Sequence, residues 1–281
     1  MLAPRPESVE TQLGRFPAQA ELPEPLKFAW PIVVLPEIFT TARHLAMLVG
    51  YFATIGWEVY APDLNSFIGR GDTPSIEKWR FEDFVELAAE AVAAIGREAV
   101  VVGHGIGGLA ALKLAERAGI KAGVAMAPLA PGFRTPLFAG IRNRIAIWKG
   151  QPLQPPSRRT LFEFVADSDP FSRAQIIKAL IPGSTAAAMQ IVNGEIEFAS
   201  ADKSAPRMIV AGQSDIFAPY EKLEQLAGRI GAPIAQIPGR GHWLIGGRAL
   251  ERAINEIQRF LVRSLGRDLL LLYPEEWKND D

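Results

Sequence analysis

The chain has 281 residues, and its 30 Lys and Arg residues nearly balance 31 Asp and Glu residues, for a net charge of −1. This balance argues against a nucleic-acid-binding surface, and the absence of cysteine excludes disulfides, thiolate metal ligands and cysteine nucleophiles. No window approaches the ~18 uninterrupted apolar residues of a membrane span, and the N-terminus lacks a signal-peptide pattern. We therefore expect a soluble cytoplasmic protein.

The elements predicted along the chain alternate between strand and helix. Residues 1–29 are Pro-rich and aperiodic, and they predict an N-terminal arm. The following segments form the predicted core, over 30–128 and 206–264: strands at 32–35, 57–61, 99–102, 124–127, 208–211 and 233–237, and helices at 42–55, 82–95, 106–118, 220–229 and 247–264. Such alternation predicts an α/β fold, with a mostly parallel sheet and helices on both faces.

Residues 129–205 interrupt this alternation of strands and helices. They are rich in Pro, Arg and Phe and show helical patterns near 159–166, 171–180 and 184–192. A segment of this length is too long for an ordinary connection, so it predicts a helical lid or cap. The tail, residues 265–281, is apolar and then acidic; it could pack on the core or form a homodimer contact.

The hexapeptide from Gly103 to Gly108, Gly-His-Gly-Ile-Gly-Gly, has two interpretations. As G-x-G-x-x-G after an apolar strand, it is the dinucleotide-binding fingerprint. That interpretation needs a carboxylate about 20 residues further on, at the end of the next strand. The next predicted strand instead ends Met-Ala-Pro-Leu at 126–129. A dinucleotide site remains open as a hypothesis that predicts NADH binding.

The same hexapeptide also fits a nucleophile elbow, G-x-[nucleophile]-x-G, with Gly105 at the central position. In this arrangement an acid follows a later strand and a histidine comes last. Asp215 follows the predicted strand at 208–211, and His242 lies in a Gly-rich loop before the last helix. The order elbow, acid, histidine favours this second interpretation.

Together these segments resemble the α/β-hydrolase superfamily over about residues 25–264. The matching stretches are Pro36-Glu37-Ile38-Phe39, the Ala61-Pro62-Asp63-Leu64 turn, the elbow and the loops around Asp215 and His242. The first tetrapeptide also resembles a loop of dienelactone hydrolases, in which a glutamate lies beside the nucleophile. Most serine hydrolases have a His-Gly pair at this loop, and this chain does not.

The resemblance implies roles for individual residues. It makes His242 a general base oriented by Asp215, and it implies an oxyanion hole formed by the backbone N–H groups of Ile106 and Ile38. Four further residues are candidates for the pocket: Glu37, Phe39, His104 and Trp243. Packing is the favoured role for His104, whose side chain we expect to point away from the pocket.

Glycine cannot supply a nucleophile, so Gly105 leaves three hypotheses open. In the favoured one, His242 and Asp215 activate water or a substrate group without a covalent intermediate, on a small apolar carbonyl compound such as an ester or lactone. In the second, a catalytically silent hydrolase scaffold binds a small ligand or a protein partner. In the third, an esterase has been inactivated by replacement of serine. No cofactor is expected, and the three histidines show no metal-ligand spacing.

Overall fold

The computed structural model of the protein describes residues 7–64 and 75–271. Within these residues one eight-stranded sheet runs in the order β1-β2-β4-β3-β5-β6-β7-β8. The strands are β1 (Glu7–Leu13), β2 (Phe16–Leu22), β3 (Ile32–Leu35), β4 (Val59–Pro62), β5 (Ala99–His104), β6 (Ile120–Met126), β7 (Arg207–Gly212) and β8 (Ile234–Ile237). β1 pairs with β2 and β2 with β4 in antiparallel fashion, and all other pairs are parallel.

The central strands are apolar because both faces of the sheet are covered. Every residue of β3, β5 and β7 is buried. Such continuous burial is typical of parallel strands between two layers of helices. Val102 of β5 is aligned with Val34 on one side and Val124 on the other. The predicted α/β fold with a mostly parallel sheet is confirmed.

Nine helices of seven residues or more lie within the described part of the chain. They are α1 (Ala46–Thr54), α2 (Phe81–Ala93), α3 (Ile106–Leu114), α4 (Ile141–Lys149), α5 (Arg158–Phe164), α6 (Pro170–Lys178), α7 (Thr185–Asn193), α8 (Tyr220–Ile230) and α9 (Leu250–Leu265). α4 to α7 all belong to the insertion between β6 and β7. Ser157, Asp169 and Ser184 begin α5, α6 and α7, since each side chain accepts a hydrogen bond from a first-turn N–H.

The prediction of an aperiodic arm over residues 1–29 was wrong for residues 7–22. These residues form a β-hairpin that extends the sheet through β2 and β4. Gly14, with φ of 60°, allows the tight turn. Alternate β2 residues, including Phe16 and Ala18, are buried, whereas most of β1 is at least partly exposed at the sheet edge. Its polar composition hid the strand pattern, and residues 1–6 lie outside the described part.

The insertion contains one helix that the sequence analysis did not predict. Ile141, Ile145 and Trp148 of α4 have helical spacing, but all three are exposed. The tail packs against the core as far as residue 271, where the Leu271 N–H donates to the Lys27 carbonyl at 2.9 Å. The acidic end of the tail lies outside the described residues. No helix in the described ranges is both long and apolar enough to cross a bilayer.

Gly103 of β5 provides a test of how closely α3 must approach the sheet. A β-carbon at position 103 would overlap the backbone carbonyl of Gly107. We expect Gly103→Ala to lower the free energy of unfolding by about 3 kcal/mol or more, because backbone rather than a flexible side chain must move. Gly50→Ala on α1 is the control: its β-carbon would meet open space, and we expect a gain of about 0.5–1 kcal/mol. Denaturant titration measures both, and similar effects would contradict the prediction.

Candidate active site

The predicted site residues follow the carboxyl ends of neighbouring strands. Glu37 follows β3, Gly105 follows β5, Asp215 follows β7 and His242 follows β8. Because β3, β5, β7 and β8 are parallel to their neighbours, these ends meet at one edge of the sheet. Ligand sites of open α/β sheets lie at this edge.

Gly105 makes the sharp turn from β5 into α3. Its φ of 53° and ψ of −116° are angles that a side chain disfavours, and its N–H donates to the Met126 carbonyl at 3.1 Å. Gly107 permits the close approach, because a β-carbon there would contact the backbone carbonyls of Leu35 and Pro36. The turn therefore brings the N-terminus of α3 directly against the end of β3.

The carboxylate of Glu37 occupies the space that a side chain at position 105 would need. A β-carbon on Gly105 would overlap Oε2 and Cδ of Glu37. Glu37 is only 1% exposed, and its Oε1 accepts a hydrogen bond from the Ile38 N–H at 2.7 Å. Thr40 secures this turn, since its Oγ1 accepts from the Glu37 N–H at 2.9 Å and its own N–H donates to the Glu37 carbonyl at 3.0 Å.

His242 lies between two carboxylates. Its Nδ1 is 2.8 Å from Asp215 Oδ2, and its Nε2 is 3.5 Å from Glu37 Oε2. The other oxygen of Asp215, Oδ1, accepts the N–H groups of Phe217 at 2.8 Å and Ala218 at 3.0 Å. Asp215 is thus held rigidly, and the imidazole ring is held in turn.

The electrostatics of this group favour a protonated ring. Burial opposes the charge on His242, but Asp215 and Glu37 outweigh it and raise the pKa to about 10. The positive ring offsets part of the charge that two buried carboxylates bring into the interior. His104 has the opposite character: burial and the nearby charge of His242 lower its pKa to about 4, so its ring is neutral.

His104 lies beside His242 within the protein interior. The two ring centroids are 4.9 Å apart, and His104 Nε2 is 2.9 Å from the backbone carbonyl of His242. The ring also meets Trp243 edge to face, at 5.5 Å between centroids. The structure thus places the His104 ring in contact with the candidate catalytic residue His242.

A narrow cavity of about 30 Å³ adjoins the Glu37 carboxylate. Its lining is mostly apolar and comprises Glu37, Ile38, Ile76, Trp79, Arg80, Phe84, Ile106, Ser184 and Ala187. Phe39 and Trp243, which were also predicted to line the pocket, lie elsewhere. Phe39 packs in the core against Phe138, and Trp243 borders a separate groove of about 340 Å³. Both predicted oxyanion donors, Ile38 and Ile106, border the cavity, but the Ile38 N–H already donates to Glu37.

Asp167, in the insertion, is a supporting residue that the sequence analysis missed. Its Oδ2 accepts the Gly241 N–H at 2.8 Å, and its Oδ1 lies 3.5 Å from Arg240 Nη1. It therefore anchors the loop that carries His242. Phe164 of the same insertion stacks near the His242 ring, at 5.1 Å between centroids. Neither residue belongs to a local motif, so only their position in the fold reveals them.

This site and fold agree with one protein family. Residues 29–253 match the sequence profile of the Alpha/beta hydrolase family. The chain belongs to that family. The match covers most of the sheet and the insertion as well as all four site residues. No curated protein sequence matches the chain.

Solved structures of α/β-hydrolases share the fold at low sequence identity. The monoacylglycerol lipase of Paleococcus ferrophilus has a TM-score of 0.65 and 19% identity, over 85% of this chain and 98% of the lipase. The 2-hydroxy-6-oxo-6-phenylhexa-2,4-dienoate hydrolase of Rhodococcus sp. strain RHA1 has a TM-score of 0.63 and 17% identity, over 92% and 99%. A thermophilic esterase of Thermogutta terrifontis has a TM-score of 0.64 and 17% identity, over 93% and 99%.

The overlap between Glu37 and a side chain at position 105 can be measured by a double-mutant cycle. Gly105→Ala should destabilise the protein, both because of the positive φ and because the new methyl group displaces the Glu37 carboxylate. In a Glu37→Ala background only the destabilisation that comes from the positive φ remains. We expect the two substitutions to couple by about 1 kcal/mol or more in denaturant titrations. Additive effects would show that the two positions do not compete for space.

Proposed function

We propose that the protein is a hydrolase that activates water without a covalent intermediate, with Glu37 and His242 sharing the acid–base work. The observation that carries the proposal is the position of the Glu37 carboxylate, which fills the space beside Gly105 and lies 3.5 Å from His242 Nε2. Glu37 also lines the cavity, and the His242 imidazole lies beside its carboxylate. This pairing supplies both a proton acceptor and a proton donor.

The proposed reaction is the hydrolysis of a small apolar ester or lactone. Glu37 accepts a proton from a water molecule as the water oxygen attacks the carbonyl carbon. The Ile106 N–H, at the first turn of α3 where N–H groups have no acceptor within the helix, stabilises the oxyanion. The apolar lining of the cavity, including Trp79 and Phe84, favours a substrate with apolar substituents.

The second half of the reaction restores the starting state. As the carbon–oxygen bond breaks, His242 Nε2 donates its proton to the leaving oxygen, and Asp215 keeps the ring oriented through Nδ1. Glu37 then returns the proton taken from water to His242. The products are a carboxylic acid and an alcohol, and no group of the protein is consumed. Asp215 orients the ring rather than carrying a proton.

Substitution of Glu37 tests this proposal. We expect Glu37→Gln to lower kcat/KM by about 10²-fold or more on any ester or lactone that the protein hydrolyses, since the amide cannot accept a proton. His242→Ala should show a loss of at least similar size. A broad panel of short-chain esters and lactones identifies the substrate, and circular dichroism verifies folding of each variant.

Glu224→Gln is the matched control, because Glu224 is an exposed residue of α8. It should retain full activity. Turnover that is unchanged in both Glu37→Gln and His242→Ala would overturn the assignment of the two roles.

A second candidate function is a catalytically silent scaffold. One observation favours it. Glu37 accepts the hydrogen bond of the Ile38 N–H, and the cavity beside it has a volume of only about 30 Å³. In this case the site is closed by its own side chain, and the wild-type protein hydrolyses nothing on the panel. An esterase silenced by loss of its serine is a special case of this candidate.

The silent candidate predicts a gain of activity from paired substitutions. Gly105→Ser alone should not restore hydrolysis, because the serine would overlap Glu37. Gly105→Ser combined with Glu37→Ala places a hydroxyl beside His242 and Asp215, so we expect hydrolysis of a short-chain p-nitrophenyl ester to appear. If the double variant folds and remains as inactive as the wild type, loss of a serine does not explain the silence.

A further inference from the structure

Three buried polar atoms of the site have no hydrogen-bond partner among the described residues. They are Glu37 Oε2, His104 Nδ1 and His242 Nε2. Each belongs to a side chain that is at most 1% exposed. Glu37 Oε2 and His242 Nε2 face each other as an ion pair at 3.5 Å, without a close hydrogen bond, and His104 Nδ1 has no partner among the described residues. Buried polar atoms are almost always hydrogen-bonded, so this cluster indicates that a further group belongs there.

These three side chains also have the geometry of a ligand set. One ligand atom from each of Glu37, His104 and His242 lies within 4.8 Å of the other two. Tetrahedral zinc, with bonds of about 2.0–2.2 Å, needs ligand atoms about 3.3–3.6 Å apart. Glu37 Oε2 and His242 Nε2 are already 3.5 Å apart. The ligand atom of His104 lies within 4.8 Å of them, so a shift of up to about 1.5 Å completes the set.

The outer contacts of these side chains are those that metal ligands require. His242 Nδ1 lies 2.8 Å from Asp215, and His104 Nε2 lies 2.9 Å from the backbone carbonyl of His242. Metal-binding histidines almost always donate their other ring N–H to a carboxylate or a carbonyl, which fixes the tautomer. Glu37 is fixed in the same way, through the Ile38 N–H on Oε1.

We propose that Glu37, His104 and His242 form a binding site for a divalent transition metal of the zinc type. Two imidazoles and one carboxylate suit Zn²⁺ or Co²⁺ and are poor ligands for Mg²⁺ or Ca²⁺. On binding, the metal replaces the proton on His242 Nε2, and that proton leaves to solvent. Three protein ligands leave a fourth position open for a water molecule or a substrate oxygen. Glu37 is the ligand that also lines the cavity.

No local sequence pattern indicates this site, because its ligands are far apart in the chain: Glu37 follows β3, His104 ends β5 and His242 follows β8. The metal-bound form is an alternative to the form proposed for hydrolysis. A bound metal would make His242 and Glu37 ligands instead of proton carriers. Binding is measured here without substrate, so its failure leaves the proposed function untouched, and inactivity leaves the metal site untouched.

The first experiment measures binding to the full-length protein. Protein stripped by dialysis against a chelator is reloaded with Zn²⁺ or Co²⁺, and excess metal is removed by gel filtration. We expect about one metal ion per chain by elemental analysis, visible ligand-field bands with Co²⁺, and a melting temperature several degrees higher with saturating Zn²⁺ than with saturating Mg²⁺. Protein that retains no metal and shows no Zn²⁺-specific shift would overturn the proposal.

The second experiment locates the metal without any substitution. The chain has three histidines, and His44 is an internal control because its Nδ1 contacts the Thr41 N–H and its Nε2 the Ile176 carbonyl. In protein labelled with ¹⁵N-histidine, saturating Zn²⁺ should shift His104 Nδ1 and His242 Nε2 strongly and leave His44 unchanged. Shifts at His44 alone, or at no histidine despite bound metal, would place the metal elsewhere and refute the site.

Matched substitutions complete the test. We expect His104→Asn and Glu37→Gln each to raise the dissociation constant for Zn²⁺ at least 10-fold, and His44→Asn to leave it unchanged. Equal binding by folded His104→Asn and by the wild type would remove His104 from the ligand set. The nuclear magnetic resonance measurement decides the matter if a variant does not fold.

Discussion

The central constraint of this protein is that Glu37 and position 105 compete for one volume. The carboxylate of Glu37 lies where a side chain of residue 105 would begin, so the two cannot coexist in the observed arrangement. Two features therefore require glycine at position 105: the positive φ of the turn and the Glu37 carboxylate beside it. The absence of a nucleophile at the turn and the presence of an acid beside it are one structural fact.

The neighbouring charges of the site stabilise the buried carboxylate of Glu37. An isolated buried charge is costly unless it is paired and hydrogen-bonded. Glu37 has the His242 ring on one oxygen and the Ile38 N–H on the other, and it lies near the N-terminus of α3, whose dipole favours negative charge. Asp215 on the far side of His242 completes a row of alternating charge, carboxylate, imidazolium, carboxylate.

The insertion between β6 and β7 shields these three charged side chains from water and holds them in position. Phe164 covers the His242 ring, and Asp167 holds the loop that carries it through the Gly241 N–H. Exclusion of water strengthens each electrostatic contact within the site. The same enclosure leaves Glu37 Oε2, His104 Nδ1 and His242 Nε2 without a hydrogen bond among the described residues, although the first and last form an ion pair.

The sequence by itself determined the α/β fold, the order of its central elements and the residues at the ends of its strands. Continuous apolar runs such as Ile32–Leu35 and the glycines around residue 105 are local signals, because they reflect burial on both faces and a turn that only small residues permit. The N-terminal hairpin escaped prediction because an edge strand buries few side chains. Only the tertiary structure decided that Glu37 fills the space at Gly105 and that His104 joins His242. Those contacts join residues far apart in the chain, and they depend on the register of parallel strands and on side-chain directions that no local pattern encodes.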